Sequence, residues 1–235
     1  MNFFKKKDLI INNSTDKKYL TQRDNVIRPL ETCTPTSVVM ALTYSGIQTP
    51  LSKNQLEDDF ITFMNTDSRV IDFYKNNPEN WIRQLYIKKV PANEIHVVVA
   101  YSANLWVNQE KIVRFTSTAS LRNILQHLFI GNCCVVSGKW PYLNKNNEKI
   151  FIDHVVCVVG FKTTQTKIKN REIDIEKVTD IIIDDPFGNY QTLYEDHNGN
   201  DIYMPINDFN SIVKDVNRLT KWCYFIGYDD MVHPR

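Results

Sequence analysis

The spacing of apolar residues changes along the chain, from helix-like periods in the first half to short strand-like runs in the second. Five segments of the first half predict helices from apolar residues at helical spacing, capping residues, or flanking Pro and Gly. In chain order they are TPTSVVMALTYS (about Thr34 to Ser45), LSKNQLEDDFITFM with Ser52 as a candidate cap, NPENWIRQLYIK with Asn77 as the cap, PANEIHVVVAYSANLWVN, and STASLRNILQHLFIGN, which ends near Gly131. The Val run of the fourth segment would also suit a buried strand, but its length and its Asn-Glu pair favour a helix.

Strands are predicted by later runs rich in Val, Ile and aromatic residues and bounded by Gly, Pro, Asn or Asp. After a short strand, KIVRFT, these runs are CCVVSGKW, DHVVCVVGF, DIIIDDPFG and WCYFIGYDD. The charged stretch KTTQTKIKNREIDIEKVTD between two of them predicts a solvated loop or a hairpin extension, and Asn198-Gly199 predicts a tight hairpin turn. Helices first and strands later indicate an α+β fold, with the N-terminal helices packed on one face of a mostly antiparallel C-terminal sheet.

The length of 235 residues favours one domain. Residues 1–20 are polar and rich in Lys and Asn, so we expect a flexible N-terminal arm ahead of a single domain over residues 21–235. The apolar run Leu9 to Ile11 is far shorter than the roughly 7 to 15 residues of a signal-peptide core, and no transmembrane segment is predicted. These features predict a protein that is cytoplasmic in the cell that makes it.

Charge and cysteine content narrow the classes of partner. The 28 Lys and Arg residues nearly balance the 27 Asp and Glu residues, so the net charge of +1 gives no field that would attract nucleic acid or an anionic membrane. The five cysteines include no CxxC pair, which argues against a disulfide framework or a zinc site and suits a reducing compartment. The acidic loop EDHNGND lacks the Gly and Glu positions of an EF-hand, so neither a metal nor another cofactor is expected.

Cys33 directly precedes the first predicted helix, at a place where a thiol can be activated. Pro35 suits the first turn of that helix, and Gly46 suits its end. The free N–H groups and the dipole of a helix start favour an anion, and can lower a thiol pKa from about 8.5 to between roughly 3.5 and 7.5. The alternative, that Cys33 is a small buried hydrophobe, is the commoner role of a free cysteine. We expect that role for the other four cysteines, at positions 133, 134, 157 and 223.

A thiolate nucleophile also needs a base, and His154 is the best candidate among the five histidines. It opens a predicted strand, so its imidazole could project over the end of the sheet while the rest of the strand is buried. A structural or solvent role is expected for the remaining histidines, at positions 96, 127, 197 and 233. An ordinary strand-end histidine is the alternative for His154 itself.

The base in turn needs an orienting group, and the oxyanion of the tetrahedral intermediate needs donors. Asp184 and Asp185 end the next predicted strand at a proline and face opposite sides, so only one of them can meet an imidazole. The apolar pattern leaves both open, although the place directly before proline, at the very end of the strand, favours Asp185. Gln22, eleven residues before the candidate nucleophile, is a neutral donor that could reach the oxyanion.

Four short motifs therefore occur in one order: TQRDN, TCTPTSVVMAL, DHVVCVVGF and IIIDDPFGNY. Each motif is weak alone, but in this order they resemble papain-fold cysteine peptidases, specifically the group similar to bacteriocin-processing double-glycine leader peptidases. In that group a Gln precedes a Cys-Gly-Pro helix start, a His opens a strand of the form HxVxVxG, and an Asp precedes Pro at a strand end. The resemblance covers about residues 21 to 190 and implies a papain-like fold.

By this resemblance Cys33 would be the nucleophile, His154 the base, Asp185 the orienting residue and Gln22 the oxyanion donor. The implied activity is hydrolysis of a peptide bond through a thioester acyl-enzyme. The sequence departs from the group at Thr34, where Gly is usual, and a side chain there could narrow the space beside the nucleophile.

Three functions are compatible with these features. The first is a stand-alone cysteine peptidase acting on a peptide or protein, because the chain shows neither the membrane spans nor the P-loop of an exporter. Related stand-alone domains are often encoded by bacterial and phage genomes, so the second is cleavage of peptides that crosslink a cell wall, although no wall-binding module or export signal is recognisable. The third, motivated by Thr34, is a papain fold that binds a peptide without cutting it.

Overall fold

An antiparallel sheet runs through the centre of the computed structural model, which describes residues 8–52, 54–76, 92–213 and 221–228. Within those ranges the sheet has seven strands: β1 Leu9–Asn12, β2 Val113–Ala119, β3 Cys133–Leu143, β4 Lys149–Thr163, β5 Val178–Asp184, β6 Ile202–Pro205 and β7 Lys221–Ile226. The strand order is β2-β7-β3-β4-β5-β6, and every neighbouring pair is antiparallel. β1 pairs with the last residues of β4, beyond the part that β3 covers.

Helices cover both faces of this sheet. In the described part of the chain they are α1 Cys33–Tyr44, α2 Leu56–Thr66, α3 Ser68–Asn76, α4 Ala92–Trp106, α5 Leu121–Phe129 and α6 Ile206–Ile212. Apolar residues of α1, α2 and α4 share one core with one face of the sheet, whereas those of α5 and α6 share a second core with the other face. The predicted α+β fold, with N-terminal helices on an antiparallel sheet, is confirmed, but the expectation that all the early helices share one face is wrong for α5.

The central strands are apolar on both sides because each side meets a layer of helices. In β4, Val155 and Cys157 belong to the core beneath α1, while Val156 and Val158 belong to the core beneath α5. Strands that are buried on both faces give continuous apolar runs instead of an alternating pattern. This explains why HVVCVVGF and CCVV show no polar side.

The ends of two helices match the local signals in the sequence. α1 begins at Cys33 with Pro35 in its first turn, and Gly46 follows its end with a φ of +72°. In α5, the side chains of Ser120 and Asn123 each accept a hydrogen bond from the other's backbone N–H. Such reciprocal caps satisfy N–H groups that the helix itself leaves without a partner. The predicted start of α1 is thereby confirmed to within one residue, whereas the segment predicted for α5 began at Ser117, and its first three residues belong to β2.

α2 begins later than predicted, and Ser52 does not cap it. The Ser52 hydroxyl instead donates to the backbone oxygen of Asn54 at 2.8 Å and bonds the carboxylate of Asp59. α4 confirms the prediction that the Val-rich segment PANEIHVVVAYSANLWVN forms a helix. The helix predicted to start at Asn77 lies outside the described residues. Of the helices that are described, none combines the length and the apolar character needed to cross a bilayer.

The expectation of a flexible arm over residues 1–20 is wrong for residues 8–20. β1 lies in this segment and continues the sheet along β4, and the Asn13 side chain donates to the backbone oxygens of Leu128 and Asn132 at 2.9 and 2.7 Å. Gly160 of β4 makes the approach possible, because a Cβ there would lie 2.0 Å from the Ile11 oxygen. Backbone pairing with β4 and these side-chain hydrogen bonds together hold this segment.

Two strand boundaries near the site also differ from the prediction. β4 begins at Lys149 instead of His154, because β3 and β4 extend together as a two-stranded arm that places His154 opposite Gly138. The Asn198-Gly199 pair is not a tight hairpin, since a long connection containing a 3₁₀ helix joins β5 to β6. Gly199 packs against the end of β5, where its backbone oxygen accepts the Asp185 N–H at 2.9 Å.

Candidate active site

Cys33 lies at the first position of α1 and faces β4. Its side chain is half-buried. The helix hydrogen bonds begin with the Thr36 N–H donating to the Thr32 oxygen at 3.1 Å, so the N–H groups of the first turn have no acceptor within the helix. One turn later the Ser37 hydroxyl donates to the Val155 oxygen at 3.2 Å, which fixes the start of α1 against β4 beside His154.

His154 is buried and is held on several sides. Its backbone oxygen accepts the indole N–H of Trp140 at 3.2 Å, and the Trp140 ring stands nearly perpendicular to the imidazole. The imidazole Nε2 lies 2.7 Å from Asp185 Oδ1. The imidazole also acts on the Cys33 thiol through hydrogen bonding and charge that lower the thiol pKa, and Nδ1 is the ring nitrogen that Asp185 leaves free for this interaction.

Asp185 has a fully buried carboxylate with three hydrogen-bond partners. Besides His154, Oδ1 accepts the backbone N–H of Phe187 at 2.9 Å, and Oδ2 accepts the Tyr194 hydroxyl at 3.3 Å. The Asp185 backbone oxygen accepts the Tyr19 hydroxyl at 2.5 Å. These contacts fix the position of the carboxylate before any substrate arrives.

Asp184 points away from this cluster. Its two oxygens accept the Tyr44 hydroxyl and the Asp201 backbone N–H, each at 2.8 Å. Tyr44 lies at the far end of α1 from Cys33. Burial raises the pKa of Asp184 to about 6, against hydrogen bonds that lower it. The structure therefore places Asp185, and not Asp184, against His154.

The pKa values of Cys33 and His154 favour a thiolate on Cys33 and an imidazolium on His154. Burial raises the pKa of the Cys33 thiol, but hydrogen bonding to His154 and its positive charge outweigh burial, so that the pKa lies below its ordinary value. The Val155 N–H and the Thr34 hydroxyl add hydrogen bonds that act in the same direction. Burial lowers the pKa of His154, but the charge and hydrogen bond of Asp185, with a smaller effect of Cys33, raise it to about 10.

Gln22 is connected to this cluster by a backbone hydrogen bond just beyond the end of β5. Its N–H donates to the Pro186 oxygen at 2.9 Å, directly after Asp185. The side-chain amide is buried, and Nε2 donates to the Pro29 oxygen at 2.8 Å. Because an amide nitrogen carries two N–H groups, one remains after this bond. Its Oε1 has no hydrogen-bond partner among the described residues.

The remaining cysteines and histidines lie away from this cluster or outside the described residues. Cys133, Cys134, Cys157 and Cys223 are free and fully buried. His96 Nδ1 bonds the Tyr224 hydroxyl at 2.5 Å, and burial lowers the pKa of His96 to about 4. His127 Nε2 lies 3.1 Å from the Ile226 oxygen, and His197 is exposed. His233 lies outside the described residues.

Aromatic residues around the cluster were not singled out from the sequence. The rings of Trp140, Phe187 and Tyr194 lie edge-on to the His154 ring, at centroid distances of 6.0, 6.2 and 6.0 Å. Tyr194 follows Leu193, and both have left-handed backbone conformations. No periodic pattern predicts that a residue in such a loop contacts the site. Phe187 had one signal in the sequence, since it directly follows the Asp-Pro pair that ends the predicted strand.

Comparison with known proteins addresses the family and the fold of the chain. The sequence model of the Peptidase_C39 like family matches residues 14–210 of the chain. The chain belongs to this family. Its fold is also similar to the crystal structure of a protein from Bacillus anthracis described as a C39-like peptidase, with 15% identity, a TM-score of 0.51, and coverage of 95% of this chain and 99% of that chain. No curated protein matches the sequence.

Membership of the C39-like family confirms the predicted resemblance and the papain-like α+β fold. It also points to a cysteine peptidase with a protein or peptide as substrate. The family match includes all four candidate site residues, at positions 22, 33, 154 and 185.

Proposed function

We propose that this C39-like protein hydrolyses peptide bonds, with Cys33 as the nucleophile, His154 as general base and acid, and Asp185 as the residue that orients His154. The observation that supports this most directly is the 2.7 Å contact between the His154 imidazole and the Asp185 carboxylate, together with the lowered pKa of the Cys33 thiol, which the imidazole causes. The pKa values of the thiol and of the imidazole are each shifted toward the state that the reaction needs. The thiol loses its proton more easily, and the imidazole holds one more firmly.

The reaction would proceed in two halves. The Cys33 thiolate attacks the carbonyl carbon of the scissile peptide bond, and the tetrahedral intermediate places a negative charge on the former carbonyl oxygen. When the C–N bond breaks, His154 gives its proton to the leaving amine and a thioester to Cys33 remains. His154 then takes a proton from water, whose oxygen attacks the thioester and releases the acid product and the thiolate.

The oxyanion would be stabilised by the backbone N–H of Cys33 and by the side-chain amide of Gln22. The Cys33 N–H is at the positive end of α1, where it has no acceptor within the helix. The bond from Gln22 Nε2 to the Pro29 oxygen fixes the amide and leaves its second N–H for this role. Donors that are held in place before the reaction need no reorganisation when the charge develops.

Thr34, the departure from the usual Gly, fits an active site. Its hydroxyl donates a hydrogen bond to the Cys33 sulfur and so helps lower the thiol pKa. The non-catalytic peptide-binding alternative was motivated by this residue alone. Neither that alternative nor cleavage of cell-wall peptides is favoured by the comparisons.

Thiol alkylation tests the proposed nucleophile. We expect iodoacetamide to modify Cys33 selectively, because the other four cysteines are fully buried. The rate should follow a pKa below the ordinary thiol value of about 8.5. Intact mass and peptide mapping, repeated between pH 4 and pH 10, measure both the site and the profile. In His154→Ala the profile should move toward that of an ordinary thiol, and a wild-type profile that already matches an ordinary thiol would argue against an activated nucleophile.

Tyr194→Phe is expected to lower kcat about tenfold with little change in KM, because it removes one donor to the carboxylate that orients His154. A hydrogen bond to a charged group contributes on the order of 1.4 kcal/mol, which corresponds to this factor. Tyr44→Phe is the matched control, since it removes a hydroxyl from Asp184 instead. The control should lose thermal stability and keep its kcat. Equal loss of kcat in both variants would show that Tyr194 contributes only to folding.

A further inference from the structure

A cation is fixed beside the candidate active site. Arg23 follows Gln22 in the short 3₁₀ helix Gln22–Asp24 and is half-buried. The Arg23 guanidinium carbon lies 3.9 Å from the centre of the Phe187 ring, and its Nε donates to the Phe187 backbone oxygen at 2.6 Å. The stacking contact and the hydrogen bond together fix the plane of the guanidinium.

Phe187 connects this cation to the reacting groups. Its backbone N–H donates to Asp185 Oδ1, and its ring centre lies 6.2 Å from that of the His154 imidazole. The two ring contacts in series place the Arg23 guanidinium within about 10 Å of the imidazole, a distance that about three residues of extended peptide span.

Arg23 lacks the carboxylate partner that Arg28 and Arg69 have. Arg28 pairs with Glu31 at 3.4 Å, and Arg69 pairs with Asp67 at 2.8 Å. Over the described ranges, no carboxylate oxygen lies within 4.0 Å of the Arg23 guanidinium. Its Nε is used by Phe187, so the two terminal nitrogens keep their N–H donors for another acceptor. A guanidinium edge of this kind matches a carboxylate in a bidentate arrangement.

We propose that Arg23 binds a carboxylate of the substrate, in the segment that follows the scissile bond. This inference rests on the proposed function. His154 would protonate the leaving amine, so the leaving segment must lie on the His154 side of the nucleophile, and that is the side on which Phe187 and Arg23 lie. The substrates are peptides with a carboxylate within about three residues after the scissile bond. The carboxylate belongs to an Asp or Glu side chain or to the peptide C-terminus.

The first experiment identifies cleavage sites with the purified full chain. Unfolded proteins of known sequence are digested, and the new N-termini are read by mass spectrometry. We expect Asp and Glu, or a chain end, to be enriched within the first three positions after the cut. Arg23→Gln should lose the enrichment. Arg28→Gln is the matched control, because it removes an exposed and already paired arginine, and it should behave as the wild type.

The second experiment measures kcat/KM on one peptide that is cut well. Versions with Glu, Gln or Lys at the enriched position, each with a free or an amidated C-terminus, separate a side-chain carboxylate from a terminal one. We expect the wild type to prefer the carboxylate-bearing peptide over its neutral counterpart about tenfold, mainly through KM. Arg23→Gln should remove this preference without slowing the neutral peptide, and Arg23→Glu should favour Lys.

The outcomes separate this inference from the proposed function. Hydrolysis without a preference for a carboxylate overturns the role of Arg23 and leaves the peptidase standing. An equal loss on charged and neutral peptides in Arg23→Gln also overturns it, because Arg23 would then only position Phe187. Absence of hydrolysis by the wild type counts against the proposed function, and the inference fails with it. If Arg23→Gln does not fold, the kcat/KM values of the wild type on the charged and the neutral peptides decide the outcome alone.

Discussion

Cys33→Ala is expected to lower kcat at least about 10⁴-fold while the protein stays folded. The substitution removes the proposed nucleophile, and loss of one member of a triad removes most of the catalytic effect of the whole set. Cys33 is half-buried at the start of α1, so its loss leaves no enclosed cavity. Turnover of the best peptide and thermal unfolding of the same preparations measure the two effects separately.

Cys223→Ala is the matched control for this prediction. Cys223 is fully buried in β7, where deletion of a side-chain atom leaves a cavity and should cost on the order of 1 kcal/mol. This variant should unfold at a lower temperature and keep its turnover. The opposite pattern, with an early-melting Cys33→Ala that retains activity in its folded fraction, would mean that Cys33 is a structural residue.

Local signals were enough to predict the position of Cys33. Pro35 can occupy only the first turn of a helix without loss of a hydrogen bond, and Gly46 readily takes the left-handed conformation that ends one. These two residues therefore define α1 almost without reference to the rest of the chain. The start of β4 could not be predicted in this way, because its first residues pair with the end of β3 and are partly exposed.

The choice between Asp184 and Asp185 depended on information that one strand does not contain. Alternation places Asp185 on the same face of the sheet as Ile183. Whether His154 lies on that face as well depends on the register between β4 and β5. In the structure Val158 pairs with Ile183, and both belong to the core beneath α5. His154 lies on the same face as Val158 by the same alternation, so Asp185 is the carboxylate that reaches it.

Other features of the site follow from tertiary contacts alone. Gln22 has no local pattern that sets it apart from other loop residues, and the family resemblance was needed to assign it a role. β1 was missed because its apolar run of three residues, within a polar segment, is too short to predict a strand, and it is held by backbone pairing to β4. Tyr194 approaches Asp185 only because the loop after β5 turns back through left-handed residues.

Replacement of Asp185 should separate the orienting role from a structural one. Asp185→Asn is expected to lower kcat by about 10⁴-fold, because the neutral amide lacks the negative charge that stabilises the imidazolium. The size of the side chain is unchanged, so the fold should remain. The pKa of Cys33 should also rise, since it depends on a protonated His154, and iodoacetamide labelling would report this directly.

Asp184→Asn is the control, and its expected effect is on stability. Burial raises the pKa of Asp184 in the folded protein to about 6, above its ordinary value of 3.8. Between these two values the folded state binds more protons than the unfolded state, so the contribution of Asp184 to stability falls as the pH rises from about 4 to about 6. Asn should remove this part of the pH dependence and leave turnover nearly unchanged. If Asp184→Asn were the inactive variant and Asp185→Asn retained its rate, the carboxylate that orients His154 would be Asp184, and the pairing of β4 with β5 would have to shift by one residue.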